Sequence, residues 1–403
     1  MRLLPLDRIE PGATLGQTIY SPTGQPLLLH GVELTSEFIQ KLHERRLPAL
    51  YIQDPDTADI PVPESISPEL RARAMGNLTQ AFESVSRDPE KLREAYVAIA
   101  ASDMGSKRFS DAIQAVADGE GLYRMAADID SMLDQLNGSE VLAGLNSIKS
   151  HDTYTLQHSI DVTIMGLVLA RLRKWDRVRM RAFGVGCILH DIGKIFIDPA
   201  ILNKPTRLTP EEFKQVQAHP TAGYELLKTL APSLGVLAPH VAFQHHEKHD
   251  GTGYPRGLKG NPALDMNEPN RIHDFGAVCA VADVYDALTS DRPYRAGMPP
   301  DQAIAKILEG NGIHFNREAL EVFSTAVPPF PVCSNVRVAT GKYAGWEGIV
   351  AALRRHKIDR PKVRLLTNAN AERVNPVEVD LIVDADVQIE SAGLLKSPAR
   401  HAA

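Results

Sequence analysis

The imidazoles of this chain are concentrated in one helical stretch, and that concentration restricts the fold more than any other feature. Ten of its fourteen histidines lie between His151 and His314, where apolar residues recur at helical spacing. The densest cluster is HHEKHDGTGYP at 245–255, which packs three histidines, a glutamate and an aspartate into six positions before a turn. It is not the helical His-Glu-x-x-His zinc motif, whose histidines share a face four residues apart. His246 and His249 are only three apart, and Gly251 ends any helix. Nor is it a dinucleotide-binding loop, because Pro255 and the spacing to Gly257 break Gly-x-Gly-x-x-Gly. Either these side chains form a solvated loop or their partners come from elsewhere in the chain.

Four other segments offer such partners. In YTLQHSIDVTIMGLVLA, His158, Val162, Met165 and Leu169 follow a 3,4 spacing, so His158 faces a core. Alone it would read as a satisfied core histidine. In ILHDIGK, His190 and Asp191 end an apolar helix before Gly193, and adjacent helical side chains diverge by about 100°. In LTPEEFKQVQAHPTAG, Thr209 and Glu212 predict a capping box with Pro210 in the first turn, and His219 falls where Pro220 disrupts that helix. In AVADVYDALTSDRPYR, Asp283 lies on an apolar helical stretch, where a carboxylate needs a hydrogen-bonding partner or a metal. With His245 and His246 this makes five histidines and two aspartates, a sulfur-free set that suits iron, manganese, nickel or zinc. Seven ligands exceed what one metal with an open position takes. They suit two metals bridged by Asp191, a pair that clamps both oxygens of a phosphoryl displacement.

HDIGK, HHEKHDGTGYP and DVYDALTSDRPYR, in this order, resemble the HD-GYP family of metal-dependent phosphodiesterases, over about 150–326. The resemblance implies an all-helical domain that hydrolyses cyclic di-GMP to the linear dinucleotide pGpG and in some members onward to GMP. By motif, His158, His190, Asp191 and Asp283 would hold one metal, and Asp191 would bridge to a second held by His219, His245 and His246. The family's chemistry is in-line attack on phosphorus by a hydroxide bridging two divalent ions, with iron or manganese expected first and nickel or zinc as alternatives. Lys194 would bind the reacting phosphate or protonate the leaving oxygen, Arg292 and Arg295 would grip phosphate, and Tyr254 would shape the rim. Glu247, His249 and Asp250 are read as supporting or surface residues.

Two departures bear on that reading. Some members carry a glutamate where this chain has Tyr154, and that glutamate helps hold a third metal; two metals are therefore expected here, with Asp152 as the residue that keeps a third open. The stretch NPALDMNEPNRIHDFGAVCAVA is longer than the family leads one to expect and offers His273 and Asp274 as rivals to Asp283. Asp283 is preferred because it lies inside the matched motif.

The rest of the chain predicts a multidomain, mainly α protein. Residues 1–53 read as a small α+β module resembling one found ahead of some HD-GYP domains, 54–67 as a Pro- and Asp-rich linker and 68–149 as a helical connector. Residues 150–326 form the catalytic unit, and 331–395 a small β-rich domain built as a barrel or sandwich. The net charge of −6 gives no global reason to bind nucleic acid or an anionic membrane. RLRKWDRVRMR reads as a solvated turn. Cys187, Cys279 and Cys333 are few, odd in number and far apart, which suggests a reducing compartment. Asp7 interrupts any signal-like stretch, and VTIMGLVLA is half a membrane span, so a cytoplasmic protein is expected. The expected partners are cyclic di-GMP, regulatory proteins at the Gly-Tyr-Pro loop or terminal domains, and a second copy in a homodimer. Two rivals stay open, a hydrolase of another cyclic dinucleotide and a receptor that binds cyclic di-GMP without turnover.

Overall fold

Short elements at both ends enclose a helical body, as seen in a computed structural model. It describes residues 1–21, 25–45, 47, 49–85, 88, 90–91, 93–94, 107–138, 141–142, 154–204, 206–290, 297–354 and 356–392. In the N-terminal module, β1 (Arg2–Pro5) pairs antiparallel with β4 (Ala49–Ile52), and β2 (Ile19–Tyr20) with β3 (Pro26–Leu28). Helix α1 (Ser36–Glu44) starts where Thr35 accepts a hydrogen bond from the Phe38 N–H, and its Leu42 joins a small core with Leu6, Leu15, Leu34 and Leu50. β1 was not expected from the sequence, because four residues ending in proline carry too little alternation to read as a strand.

The body contains α2 (Pro68–Val85), α3 (Lys107–Val116), α4 (Arg124–Gln135), α5 (Tyr154–Leu172), α6 (Arg177–Ile188) and α7 (Pro210–Val216). It continues through α8 (His219–Leu230), α9 (Ala238–Gln244), α10 (Asp274–Thr289), α11 (Pro300–Leu308) and α12 (Arg317–Ala326). α5 is buried at every position from His158 to Ala170; most of these residues are apolar, and the polar Asp161 and Thr163 among them are hydrogen-bonded. It runs through the centre of one continuous core that also includes Leu78 of α2, Ile113 of α3 and Ile129 of α4. The helices of 68–135, which the sequence presents as a connector, are thus packed into the body. Polar contacts reinforce this: Arg71 Nη1 donates to the fully buried Asp161 on α5 at 2.6 Å, and Arg73 and Asn77 reach buried Asp128 on α4. The basic run after α5 is tied down as well. Arg177 and Arg181 pair with Asp134 and Asp130 of α4, while Trp175 is buried against Phe183 and Phe275.

The C-terminal domain is one five-stranded antiparallel sheet, not a barrel or sandwich. Its strands are β5 (Asn335–Val338), β6 (Glu347–Ala352), β7 (Lys362–Thr367), β8 (Arg373–Asp380) and β9 (Ile389–Ser391), in the order β8-β7-β6-β5-β9. Strand β8 begins at Arg373, which pairs with Thr367 across the Asn368–Glu372 turn. The sheet packs on the N-terminal module through Tyr51, Ile60, Cys333 and Ile349, and Arg364 grips Asp59 with both guanidinium nitrogens. Among the described residues, no helix is long and apolar enough to cross a membrane.

Candidate metal centre

Five chain segments meet at one point of the helical body, and local geometry brings each there. α6 ends at Ile188, and the chain turns through His190 and Asp191 into a short 3-10 turn, Ile192–Phe196. Gly193 makes the next step: a Cβ at this position would come within 2.1 Å of the His219 carbonyl oxygen, so only glycine lets the turn lie against the start of α8. The capping box of Thr209 and Glu212 starts α7, which ends at Val216. His219 opens a new helix with Pro220 in its first turn; the proline begins a helix here as well as ending one. His245 and His246 follow directly on α9, whose last residue is Gln244.

Two groups of potential ligands result: His158, His190 and Asp283 in one, and His219, His245 and His246 in the other, each set of ligand atoms lying within 4.8 Å of one another. Asp191 stands between them with one oxygen toward each. Its Oδ1 is 3.3 Å from His219 Nε2 and 3.8 Å from His245 Nε2. Its Oδ2 is 3.5 Å from His190 Nε2 and 3.8 Å from His158 Nε2. His158 Nε2 lies 3.1 Å from Asp283 Oδ1.

The ring nitrogens are oriented by their other hydrogen bonds. Nδ1 of His190, His219 and His245 donates to the carbonyl oxygens of Cys187 (2.7 Å), Val216 (2.6 Å) and Ala242 (2.9 Å). A carbonyl only accepts, so Nδ1 carries the proton and the Nε2 lone pair faces the site. His158 does the same through Asp286, whose Oδ2 accepts at 2.7 Å. His190 Nε2 and Asp191 Oδ1 are nevertheless buried with no hydrogen-bond partner. An orphaned buried polar atom costs roughly 1–3 kcal/mol, and a bound cation supplies the missing partner. The residues therefore fit a pair of metal ions.

Electrostatics agree with that chemistry. Burial lowers the pKa of His190 and His245, and that of His246 to about 3, so these imidazoles are neutral at ordinary pH. Burial would lower His158 too, but the hydrogen bonds its two ring nitrogens donate to Asp286 and Asp283 raise it to about 9, so without an ion it carries both protons and would release the one on Nε2 to bind a metal. Burial opposes ionisation of Asp191, yet Lys194, His190 and His219 hold its carboxyl well below the usual range. Burial likewise opposes ionisation of Asp283, and His158 overrides it.

The other expected site residues fall as follows. Lys194 Nζ donates to Asp191 Oδ2 at 2.5 Å with its side chain partly open to solvent. Tyr254 stacks on His246 at the site's edge, ring centroids 4.7 Å apart. Arg292, Arg295 and Asp152 lie outside the described residues, as does the side chain of Tyr154. Asp274 is not in the cluster; it opens α10, buried against Arg179, beside His273, which caps that helix.

The sequence reading missed Asp286. Its signal was present, since it follows Asp283 by one helical turn on the same face. A carboxylate that orients a ligating histidine typically contributes about 10–100-fold in metal affinity. Asp286→Ala is therefore expected to weaken metal binding by roughly that factor, read by metal titration. Unchanged affinity would mean His158 is oriented by something else.

Residues 145–319, which contain all seven candidate ligands, match the family model described as HD domain. By that match this stretch is similar to HD domains. Among curated proteins, the chain is 34% identical over 266 residues to cyclic di-GMP phosphodiesterase PA4108 of Pseudomonas aeruginosa, covering 64% of this chain and 61% of that one. It is 36% identical over 185 residues to a cyclic di-GMP phosphodiesterase of Thermotoga maritima, covering 46% and 48% of the two chains. It is 39% identical over 167 residues to 3'3'-cGAMP-specific phosphodiesterase 3 of Vibrio cholerae, covering 41% and 33%. The chain thus spans between a third and about three-fifths of the length of these relatives. The HD domain holds both ligand groups and the Gly-Tyr-Pro loop.

Proposed function

We propose that this protein is a metal-dependent phosphodiesterase that hydrolyses cyclic di-GMP to linear pGpG. The observation that carries the reading is Asp191, a fully buried carboxylate with one oxygen directed to each of two ligand groups. His219, His245 and His246 would hold one ion and His158, His190 and Asp283 the other, with Asp191 shared. Two divalent ions bound there, iron or manganese by the balance of imidazole and carboxylate, supply charge neutralisation for the phosphate and a nucleophile usable at neutral pH.

The chain's own groups do the rest. The backbone acceptors of Cys187, Val216 and Ala242 and the Asp286 carboxylate keep four imidazoles aimed inward, so little reorientation is needed when substrate arrives. Lys194 sits beside the shared carboxylate with its side chain partly open to solvent, where it can donate a hydrogen bond to a phosphate oxygen or a proton to the departing ribose oxygen. Arg292 and Arg295 are assigned to grip phosphate by charge-assisted hydrogen bonds. The joined N-terminal module and C-terminal sheet form the part suited to regulation or docking.

A second reading, hydrolysis of 3'3'-cGAMP, is favoured by the relative named for that substrate. Both readings meet in one experiment. The full chain, reconstituted separately with iron(II) and manganese(II), is incubated with cyclic di-GMP and with 3'3'-cGAMP while products and bound metal are followed. Two ions per chain and faster production of pGpG are expected, with GMP as the onward product to look for. Faster cleavage of 3'3'-cGAMP would favour the second reading. Tight cyclic di-GMP binding without product would make the protein a receptor, and three tightly held ions would overturn the metal count.

A further inference from the structure

We propose that Glu247 positions the ligand His246, acting through the loop that follows it; this rests on the reading of His219, His245 and His246 as ligands of one ion. The three are not held alike. His219 and His245 each donate through Nδ1 to a backbone carbonyl. Among the described residues the His246 ring has no such acceptor, and its Nδ1 is 3.9 Å from Asp283 Oδ2, beyond hydrogen-bond reach. What the His246 ring does have is Tyr254, stacked at 4.7 Å with 28° between the planes.

Tyr254 is held there by the way the loop folds back on the residues just before it. The Tyr254 N–H donates to the His246 carbonyl at 3.2 Å. Gly253 passes so close that a Cβ would sit 2.2 Å from the Lys248 nitrogen. Beyond the tyrosine, the backbone N–H groups of Arg256 and Leu258 donate to the two oxygens of Glu247, each at 2.8 Å. Glu247 is 2% exposed. A carboxylate that deep is tolerated because both oxygens are satisfied, and in return it closes the loop over its neighbour's ring. Consecutive residues thus divide the work: one side chain faces the metal, and the next fastens the lid that keeps it facing there.

The test is titration of the metal-free full chain with manganese(II) alone, reading the affinity of each of two sites, with thermal melting of the metal-free protein alongside. Glu247→Ala and Tyr254→Ala are each expected to weaken one site about 10–100-fold and leave the other unchanged. Tyr254→Phe, which keeps the ring, should bind as the parent does. Glu247→Gln, with one oxygen to offer two N–H groups, should fall between. A merely structural role would lower the melting temperature and weaken both sites together, or neither, and either pattern overturns the proposal. If Glu247→Ala fails to fold, parental affinity at both sites in Tyr254→Ala overturns it. His219→Ala separates the two levels: if it still binds two ions, the triad itself is wrong. If it loses one while the Glu247 and Tyr254 variants keep parental affinities, only the positioning role fails.

Discussion

Asp191→Ala is expected to abolish turnover and to lower metal affinity by more than the roughly 100-fold that loss of a supporting hydrogen bond causes. The reason is its double position. The carboxylate is 1% exposed and lies within 3.3–3.8 Å of Nε2 atoms from both ligand groups. If two ions bind as proposed, removing it would take a ligand from each and leave their mutual repulsion without the negative charge that offsets it. Lys194, now bonded to Asp191, would lose its partner as well. Elemental analysis and a product assay on the same preparation check this. An Asp191→Ala protein with full activity and two ions would sink the binuclear reading. His30→Ala serves as the control, since His30 lies in the N-terminal module, where its ring hydrogen-bonds to Gln53.

The second large effect is a crossed pair. Asp283→Ala should lose metal and activity while folding normally, whereas Asp274→Ala should keep its metal and lose stability. Asp283 shares the cluster with His158, to which it approaches within 3.1 Å. Asp274 instead pairs with Arg179, whose guanidinium lies 4.4 Å over the Trp175 ring. Breaking a buried ion pair costs about 3–5 kcal/mol, and because Arg179 is partly open to solvent the cost here should be nearer 1–3 kcal/mol. Metal content and denaturant midpoints, measured on both variants, distinguish the two roles. Metal loss in Asp274→Ala with none in Asp283→Ala would show that the longer segment before α10 had been aligned wrongly.

Much of this site could be read before any coordinates, and particular residues show why. The capping box at Thr209, the inward face of α5 and the Gly-Tyr-Pro turn are local features, set by hydrogen bonds and periodicity within a few residues of chain. The ordered motifs pointed to the residues that the structure gathers because each carries its own residue types and spacing. The connector expected at 68–149 was harder. Its helices were legible, but their burial depends on matching an apolar face to α5 and α6, which no local pattern records. β1 was missed because it exists only by pairing with β4, nearly fifty residues on.

The sequence by itself determined the mainly helical class, the placement of imidazoles on or just past the ends of separate helices, and the sulfur-free make-up of the candidate set. Those follow from side-chain identity and helical period, which act over one or two turns. Only the tertiary structure decided which oxygen of Asp191 faces which group, that Asp286 rather than solvent orients His158 across 128 residues of chain, that Asp274 belongs to Arg179, and that Glu247 turns inward to fasten its own loop. Each of these is a choice among carboxylates of the same chemistry. What distinguishes them is distance across the packed interior, set where Gly193 and Gly253 let backbones approach more closely than any side chain would permit.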